Sequence, residues 1–372
     1  MLTLRQQIAQ MLIMGFDGTE INDQNPVKNW LEKEGLGGVL LFDYDLAAQC
    51  PGKNIRDASQ VKALIQQLHD CALSSEAGSE FPLFVAVDYE GGAVDRLRHL
   101  AGIPTSLSPK QYASLSPEQQ QNEAQKMADT LTSLGFNLNF APLLDLNLNE
   151  RQGIIGKLAR SYGTDATQVA AIARQFVAVL AKQGITCCYK HFPGHGSALG
   201  DTHEGFVDVT ETFIKDELQP YAELLRHNAL PVMVMTAHVI NRQLDPEGVP
   251  ATLSRPILTG LLRETIGFDG VIISDDLQMH AISQHYSLAD SLRLTINAGA
   301  DMVIFANQLG RVSATEVIDV IEGLVHSGLV AASRIQQACE RIKTLKQWQG
   351  ASTQARAIRK SAVPESSLPE RG

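Results

Sequence analysis

From Tyr189 to His203 the chain reads Tyr-Lys-His-Phe-Pro-Gly-His-Gly-Ser-Ala-Leu-Gly-Asp-Thr-His, so Lys190, His191, His195, Asp201 and His203 fall within one short stretch. The stretch leaves an apolar run, Ile185 to Tyr189, where a buried strand is expected to give way to a loop. Titratable groups at such a place are costly unless paired. Asp201 precedes His203 by two residues, and if the loop curls its carboxylate can reach one imidazole nitrogen. That contact orients the ring and favours its charged form. An imidazole of ordinary pKa about 6.5 can give and retake a proton near neutrality. A second acidic site, Ser274-Asp275-Asp276, follows the apolar run Gly270 to Ile273. Adjacent carboxylates on an extended chain point to opposite sides. Asp275 is therefore a candidate nucleophile or charge stabiliser, and Asp276 a candidate N-cap for the next helix. Together the two segments suggest an enzyme with an acidic nucleophile and a histidine proton donor.

Other residues suit substrate binding rather than bond making. Asp88-Tyr-Glu-Gly-Gly-Ala-Val-Asp-Arg96 combines an acceptor, Asp88, with a multiple donor, Arg96, the mixture that polyol recognition needs. Arg160 and Lys190 supply further donors. Gly91-Gly92 is not a Gly-x-Gly-x-x-Gly phosphate loop. His191 and His195 are four residues apart, but Pro193-Gly194 breaks the helix on which that spacing chelates a metal. No metal or other cofactor is expected, and His195 is expected to pack the loop.

These residues need a frame that gathers them. Eight short apolar runs read as strands: Gln10–Phe16, Gly37–Phe42, Leu83–Asp88, Leu138–Asp145, Thr186–His191, Val232–His238, Gly270–Asp275 and Met302–Asn307. Amphipathic stretches at Arg56–Ala72, Pro117–Leu134, Ala166–Gln183, Phe213–His227, Pro256–Thr265, Leu288–Ala298 and Ala314–Ser327 separate them. Strand–helix alternation implies parallel strands with right-handed crossovers. Eight repeats favour an α/β fold of the (β/α)8 TIM-barrel type, with a doubly wound open sheet as the alternative. Asp17, Asp43, Asp88, Asp145, Lys190 with His191, His238, Asp275 and Asn307 lie at the C-terminal ends of the runs. A barrel draws those ends around one mouth.

Composition narrows the class further. With 372 residues, 44% hydrophobic and 19% charged, the chain can build a large core; its length would allow two domains, but one barrel of this size is also common, and residues 1–349 are expected to form it as a single catalytic domain. Residues 350–372 lack apolar periodicity and are expected to form an extended or disordered tail. A net charge of -10 disfavours nucleic acid as a partner. Five scattered cysteines without a Cys-x-x-Cys pair suggest a reducing compartment and no structural zinc. Cys187 and Cys188 are expected in the core. The N-terminus has neither a signal peptide's pattern nor a membrane span, so cytoplasm is the default location and no membrane partner is expected.

Taken in order, Lys190–Gly196, Asp201-Thr-His203, Ser274-Asp275-Asp276-Leu-Gln-Met279, Asp88-x-Glu-Gly-Gly, Asn139-Phe-Ala-Pro-Leu-Leu-Asp145, Arg160-Ser-Tyr-Gly163 and Pro250-Ala-Thr-Leu-Ser254 resemble glycoside hydrolase family 3. The resemblance runs from about residue 5 to about residue 345 and is to the β-N-acetylglucosaminidase (β-hexosaminidase) branch of peptidoglycan recycling. It implies a single barrel domain and a retaining mechanism without metal. Asp275 matches the nucleophile, and His203 with Asp201 matches the branch's acid/base pair. Asp88, Arg96, Arg160, Lys190 and His191 match positions that bind hydroxyls of the terminal sugar. The implied substrate is a small N-acetylglucosamine-containing glycoside such as a cell-wall-derived muropeptide, handled by a monomer or weak homo-oligomer. Thr202 stands where Ser is expected, Ala93 where Arg is common and Tyr89 where Gln is frequent. Glu-Gly-Phe-Val after His203 replaces a shorter proline-containing run, which bears on aglycone preference. The alternatives are a phosphorylase or β-glucosidase on the same scaffold, a metal-dependent barrel hydrolase, and a sugar-binding protein without catalysis.

Overall fold

The computed structural model describes residues 2–75, 81–203, 205–226 and 230–361, with side chains as far as residue 349. Eight parallel strands close into a barrel: β1 (Leu12–Gly15), β2 (Gly38–Leu40), β3 (Phe84–Val87), β4 (Leu138–Asn139), β5 (Thr186–Phe192), β6 (Val232–Thr236), β7 (Val271–Asp276) and β8 (Met302–Phe305). They follow chain order around the ring, and β1 pairs with both β2 and β8. Nearly every strand residue is buried, because side chains alternate between the barrel interior and the surrounding helices. Cys187 and Cys188 on β5 are both fully buried in this core.

Six of the eight strands are shorter than the apolar runs suggest. The run from Leu138 gives only two regular ladder residues, since Pro142 has no backbone donor; pairing resumes at Leu143 opposite Lys190. Gln10, expected in the first strand, instead ends a helix, α1 (Leu4–Gln10). Thr3 caps that helix, accepting from the Gln6 amide while the Gln6 side chain returns to the Thr3 amide. Five crossover helices fall on the expected stretches: α2 (Ala58–Leu73), α3 (Pro117–Leu134), α4 (Ala166–Lys182), α6 (Leu288–Ala298) and α7 (Ala314–His326), with α5 (Gln219–Leu225) a shorter one. Pro256–Thr265 winds as a wider π-type helix. The expected stretch Phe213–His227 begins with a 3-10 turn, Lys215–Leu218, and His227 lies outside the described residues. α8 begins at Ala332 and continues to Ser361, so part of the segment expected to be extended is helical; its Ala, Gln, Arg and Lys favour helix. Residues 362–372 lie outside those described. Among the described residues no helix is long and apolar enough to cross a membrane.

Two register shifts prepare the mouth. Between β5 and β6 the pairing moves from Tyr189↔Val234 to Phe192↔Thr236, leaving an extra residue on β5 at Lys190–His191. Between β7 and β8 it moves from Ile273↔Met302 to Asp276↔Ile304, leaving one at Ser274–Asp275. An inserted residue bends a strand and re-aims its side chains. Here both insertions fall where the sequence clusters its titratable groups.

The opposite end of the barrel is held by buried charge. Asp301 accepts from Arg263 and Arg334, pairs with Arg341 at 3.3 Å, and accepts the Ile272 amide at 3.0 Å. Lys346 of α8 is fully buried, donates to Gln10 and the Gly37 carbonyl at 2.8 and 2.7 Å, and lies 4.8 Å from the Phe84 ring centroid. Burial lowers its pKa from 10.5 to about 7. The unfolded chain then binds the extra proton between these values, so stability should rise from pH 7 towards 10.5, by roughly 4 kcal/mol in total. Thermal melts of the native chain and of Lys346→Met across that window should show the rise only with lysine present; parallel curves would refute this account.

Candidate active site

The C-terminal mouth of the barrel opens into a cavity of about 440 Å³. All eight residues singled out by sequence line it: Asp88, Arg96, Arg160, Lys190, His191, Asp201, His203 and Asp275. A larger crevice of about 690 Å³ at the other end contains Asp269, Glu340 and Arg341 but none of these residues. The candidate residues therefore gather at the C-terminal mouth, where barrels of this kind place their chemistry.

One wall is an ion network centred on a residue that the sequence reading left unassigned. Glu90 is buried, accepts from Arg160 Nε and Nη2 at 2.8 and 2.7 Å, and lies 2.7 Å from Lys190 Nζ. Burial opposes its charge, yet Arg160 and Lys190 outweigh burial and bring its pKa to about 2. Lys190 also donates to Asp88 at 3.1 Å. Burial likewise opposes the charge on Lys190, but Glu90 and Asp88 raise its pKa above the ordinary value. The network fixes two cations without using all their donors. A sequence signal for Glu90 existed: Asp88 and Glu90 are two apart at a strand end, a spacing that puts both on one side. The Gly91–Gly92 turn behind them has positive φ at both residues, and a Cβ on Gly91 would lie 2.1 Å from the Leu107 carbonyl oxygen. The glycines thus serve a tight, close-packed turn. Arg96 lies 3.6 Å from Asp43 and 5.5 Å from the Phe42 ring centroid, at the cavity's rim.

His191 is held from behind. Its Nδ1 is 2.7 Å from Asp145 Oδ2, and Asp145 also accepts the amides of His191 and His195. Asp145 is fully buried and does not line the cavity, so it positions rather than binds. His195 is buried; burial, then the neighbouring His191, lowers its pKa to about 4, so the ring is neutral. Among the described residues no group of three or more His, Cys, Asp or Glu side chains is placed to hold a metal ion.

The two reactive candidates face the same space. Asp275 ends β7; burial opposes its charge, but the imidazoles of His238, His191 and His203 hold its pKa below the ordinary value. It is therefore ionised at neutral pH. Asp276 does not cap a helix as expected, because the next helix is capped at Met279. Its Oδ1 instead accepts the amides of Gln278 and Ala306, both at 3.1 Å, tying β7 to the loop after β8. Burial raises the Asp276 pKa to about 7. His238 supports this corner, with Nε2 2.9 Å from the Asp276 carbonyl oxygen and Nδ1 2.8 Å from the Thr252 hydroxyl. Burial lowers its pKa, and Nε2–H donates to the carbonyl.

His203 and Asp201 meet in the loop after β5. Asp201 Oδ1 accepts the His203 amide at 2.9 Å and lies 2.6 Å from His203 Nδ1. Nδ1 therefore carries a proton, and Nε2 is the atom left for chemistry. Burial opposes charge on both partners. Their mutual hydrogen bond and charge prevail, raising the pKa of His203 and lowering that of Asp201 to about 2. Gly196 in this loop is required by close approach rather than by flexibility: a Cβ there would lie 2.0 Å from the Leu146 carbonyl oxygen.

Glu217 holds the base of the loop from outside the cavity. Its Oε2 accepts the amides of Gly196 and Ser197 at 3.0 and 3.3 Å. The position offered no sequence signal, since it sits in what reads as an amphipathic helix. Burial, with the charge of Asp145 adding to it, raises the Glu217 pKa from 4.5 to about 7. The native state then keeps a proton that the unfolded chain has lost, so Glu217 makes stability fall as pH rises from 4.5 to 7. Glu217→Gln retains an acceptor for both amides and removes the titration. Its melting temperature should fall less across that window than that of the native chain; an unchanged slope would show that Glu217 does not titrate there.

Comparison with known proteins gives this arrangement a lineage. Residues 3–345 match the family model described as the glycosyl hydrolase family 3 N terminal domain. The chain is 32% identical over 292 residues to Beta-hexosaminidase A of Pseudoalteromonas piscicida, covering 74% of this chain but only 46% of that protein. It is 31% identical over 345 residues to the Beta-hexosaminidase of Pasteurella multocida (strain Pm70), covering 90% of each. Its fold superposes with TM-score 0.82 at 30% identity on a glycoside hydrolase family 3 beta-N-acetylglucosaminidase from Paenibacillus sp. str. FPU-7, covering all of this chain and 65% of the other.

Proposed function

Because the chain belongs to glycoside hydrolase family 3, we propose that it is a retaining exo-β-N-acetylglucosaminidase that removes terminal, non-reducing N-acetylglucosamine from β-glycosides, cell-wall-derived sugars among them. The observation that carries this reading is the pairing of an ionised, half-buried Asp275 with an Asp201-oriented His203 on one cavity. Asp88, Arg160 and Lys190, locked around Glu90, and His191, locked on Asp145, offer hydrogen bonds to the hydroxyls of one sugar ring. Five free cysteines suit a reducing compartment, and we place the reaction in the cytoplasm.

In the first step a carboxylate oxygen of Asp275 attacks the anomeric carbon as its bond to the aglycone oxygen breaks. His203 Nε2 gives its proton to that departing oxygen. The result is a covalent glycosyl-enzyme and a neutral imidazole. In the second step His203 takes a proton from water, and the resulting oxygen nucleophile displaces Asp275 from the anomeric carbon. Two inversions return the sugar with its configuration retained. The template for such enzymes uses two carboxyl groups; here an imidazole with a raised pKa takes the acid/base role.

The test is hydrolysis of paired aryl β-glycosides, N-acetylglucosaminide against glucoside, with and without inorganic phosphate. The expected outcome is preference for the N-acetyl sugar and a free sugar as product in both conditions. Preference for the glucoside would overturn the substrate assignment, and sugar 1-phosphate would make the enzyme a phosphorylase.

A further inference from the structure

The loop that carries Asp201 and His203 is fixed at both ends. At its start Glu217 accepts the Gly196 and Ser197 amides, and Asn149 Nδ2 donates to the Ala198 carbonyl at 3.0 Å. Ala198 is fully buried in a small apolar cluster with Val207, Val209, Phe213, Ala237 and Val239, separate from the main core. At the loop's end Val207–Asp208 pairs in parallel with Val239–Ile240. From Leu199 to Phe206, by contrast, Thr202 alone is buried among the described residues, while His203 and Phe206 are exposed. Exposed stretches with few buried contacts open at little cost in free energy. Asp201 orients the His203 ring, but it moves with the same stretch and does not fix the distance to Asp275. A catalytic group misplaced by about 1 Å can lose about 10²-fold in rate.

Three contacts tie this stretch down. The Thr202 hydroxyl oxygen lies 3.4 Å from His195 Nε2, and the His195 amide is itself bound to Asp145 at 2.8 Å. The Thr202 carbonyl accepts the Ala281 amide at 3.3 Å. Beyond His203, the Phe206 ring stacks on His285, with centroids 3.7 Å apart and planes 17° from parallel. Ala281 and His285 follow Asp275 on the chain that leaves β7. That chain is firmly seated: Met279, Ala281 and Ile282 are buried, and the His285 amide donates to the Ile282 carbonyl at 3.0 Å. One contact on each side of His203 therefore runs to the segment that the nucleophile's strand leads into.

We propose that Thr202 and the Phe206–His285 stack are positioning elements of the reaction, which set His203 against Asp275 by fastening the acid/base loop to the segment following β7. Neither touches the reacting atoms; both act through His203. The proposal rests on the preceding reading of His203 as the acid/base and adds what holds it in place.

The test compares kcat/KM on the β-1,4 disaccharide of N-acetylglucosamine, whose leaving group needs a proton, with that on the dinitrophenyl β-N-acetylglucosaminide, whose leaving group needs little. Thr202→Val should lose about tenfold to a hundredfold on the disaccharide and far less on the aryl glycoside. Thr202→Ser keeps the hydroxyl and should stay near native on both. His285→Ala should lose about fivefold on the disaccharide, and His285→Phe, which restores a stacking ring, should recover it. His285 is exposed, so its variants keep the fold even if Thr202→Val does not, and thermal melts check each of them. Once His203 is already alanine, neither Thr202→Val nor His285→Ala should cost anything more on the disaccharide. Equal losses on both substrates, or further losses in the His203→Ala background, would overturn the positioning role and leave His203 standing as the acid/base. If His203→Ala itself lost equally on both substrates, the reading of the site would fall and the positioning role with it.

Discussion

Asp275→Ala is expected to lower kcat for every β-N-acetylglucosaminide by roughly four orders of magnitude or more, the scale seen when a covalent nucleophile is removed. The other carboxylates lining the cavity are engaged elsewhere, Glu90 with Arg160 and Lys190 and Asp88 with Lys190. Asp276 is adjacent, but its Oδ1 is committed to the Gln278 and Ala306 amides, and its raised pKa leaves it partly protonated near neutrality. Asp201 is committed to His203. The fold should survive, because Asp275 is only half-buried and removing it takes away a desolvation cost as well as its electrostatic partners. Mass spectrometry with a 2-fluoro sugar carrying a good leaving group should trap a glycosyl adduct on Asp275 in native enzyme. Activity near the native level in Asp275→Ala, or a trapped adduct elsewhere, would end the assignment.

The second large effect concerns His203 and depends on the leaving group. With a poor leaving group such as a sugar alcohol, His203→Ala should reduce kcat/KM by roughly 10²- to 10⁴-fold. With a dinitrophenyl leaving group, which needs little protonation, the loss should be far smaller. A structural role alone would depress both equally, so equal losses would argue against a general acid. The pH profile gives an independent check. Asp201 raises the His203 pKa, so the protonated, acid-competent ring persists above the ordinary histidine value. Activity in the first step is thus kept below that raised pKa and lost as pH climbs through it. Asp201→Asn removes the charge that holds the proton, so the alkaline limb of kcat/KM should move to lower pH. A limb that stays in place would assign the titration to another group.

The site was legible in the sequence only where chemistry is local. Asp201 and His203 are two residues apart, so a turn of the loop suffices to join them, and this contact is present at 2.6 Å. The repeated strand–helix pattern was equally visible, because core-facing strands and amphipathic helices each leave a period in the residues. Glu90, Asp145 and Glu217 were not assigned. Each acts on partners far along the chain: Glu90 on Arg160 and Lys190, Asp145 on His191 and His195, Glu217 on the backbone of Gly196 and Ser197.

By itself, then, the sequence determined the barrel, the end of it at which the candidate residues gather, and the residue types available there, since these depend on periodicity and on near neighbours. The tertiary structure alone decided which charges are neutralised, which protons are held and which side chains face the cavity. Closing the ring brings residues 90 and 160 into a bidentate pair and sets Gln308 against the hairpin at Tyr44. The strand insertions at Lys190–His191 and Ser274–Asp275 are likewise invisible in one strand, because a register exists only between two. Ionisation follows from these contacts: burial opposes the charge on Asp275, and the imidazoles of His238, His191 and His203, with the Asp276 amide, hold its pKa below the ordinary value.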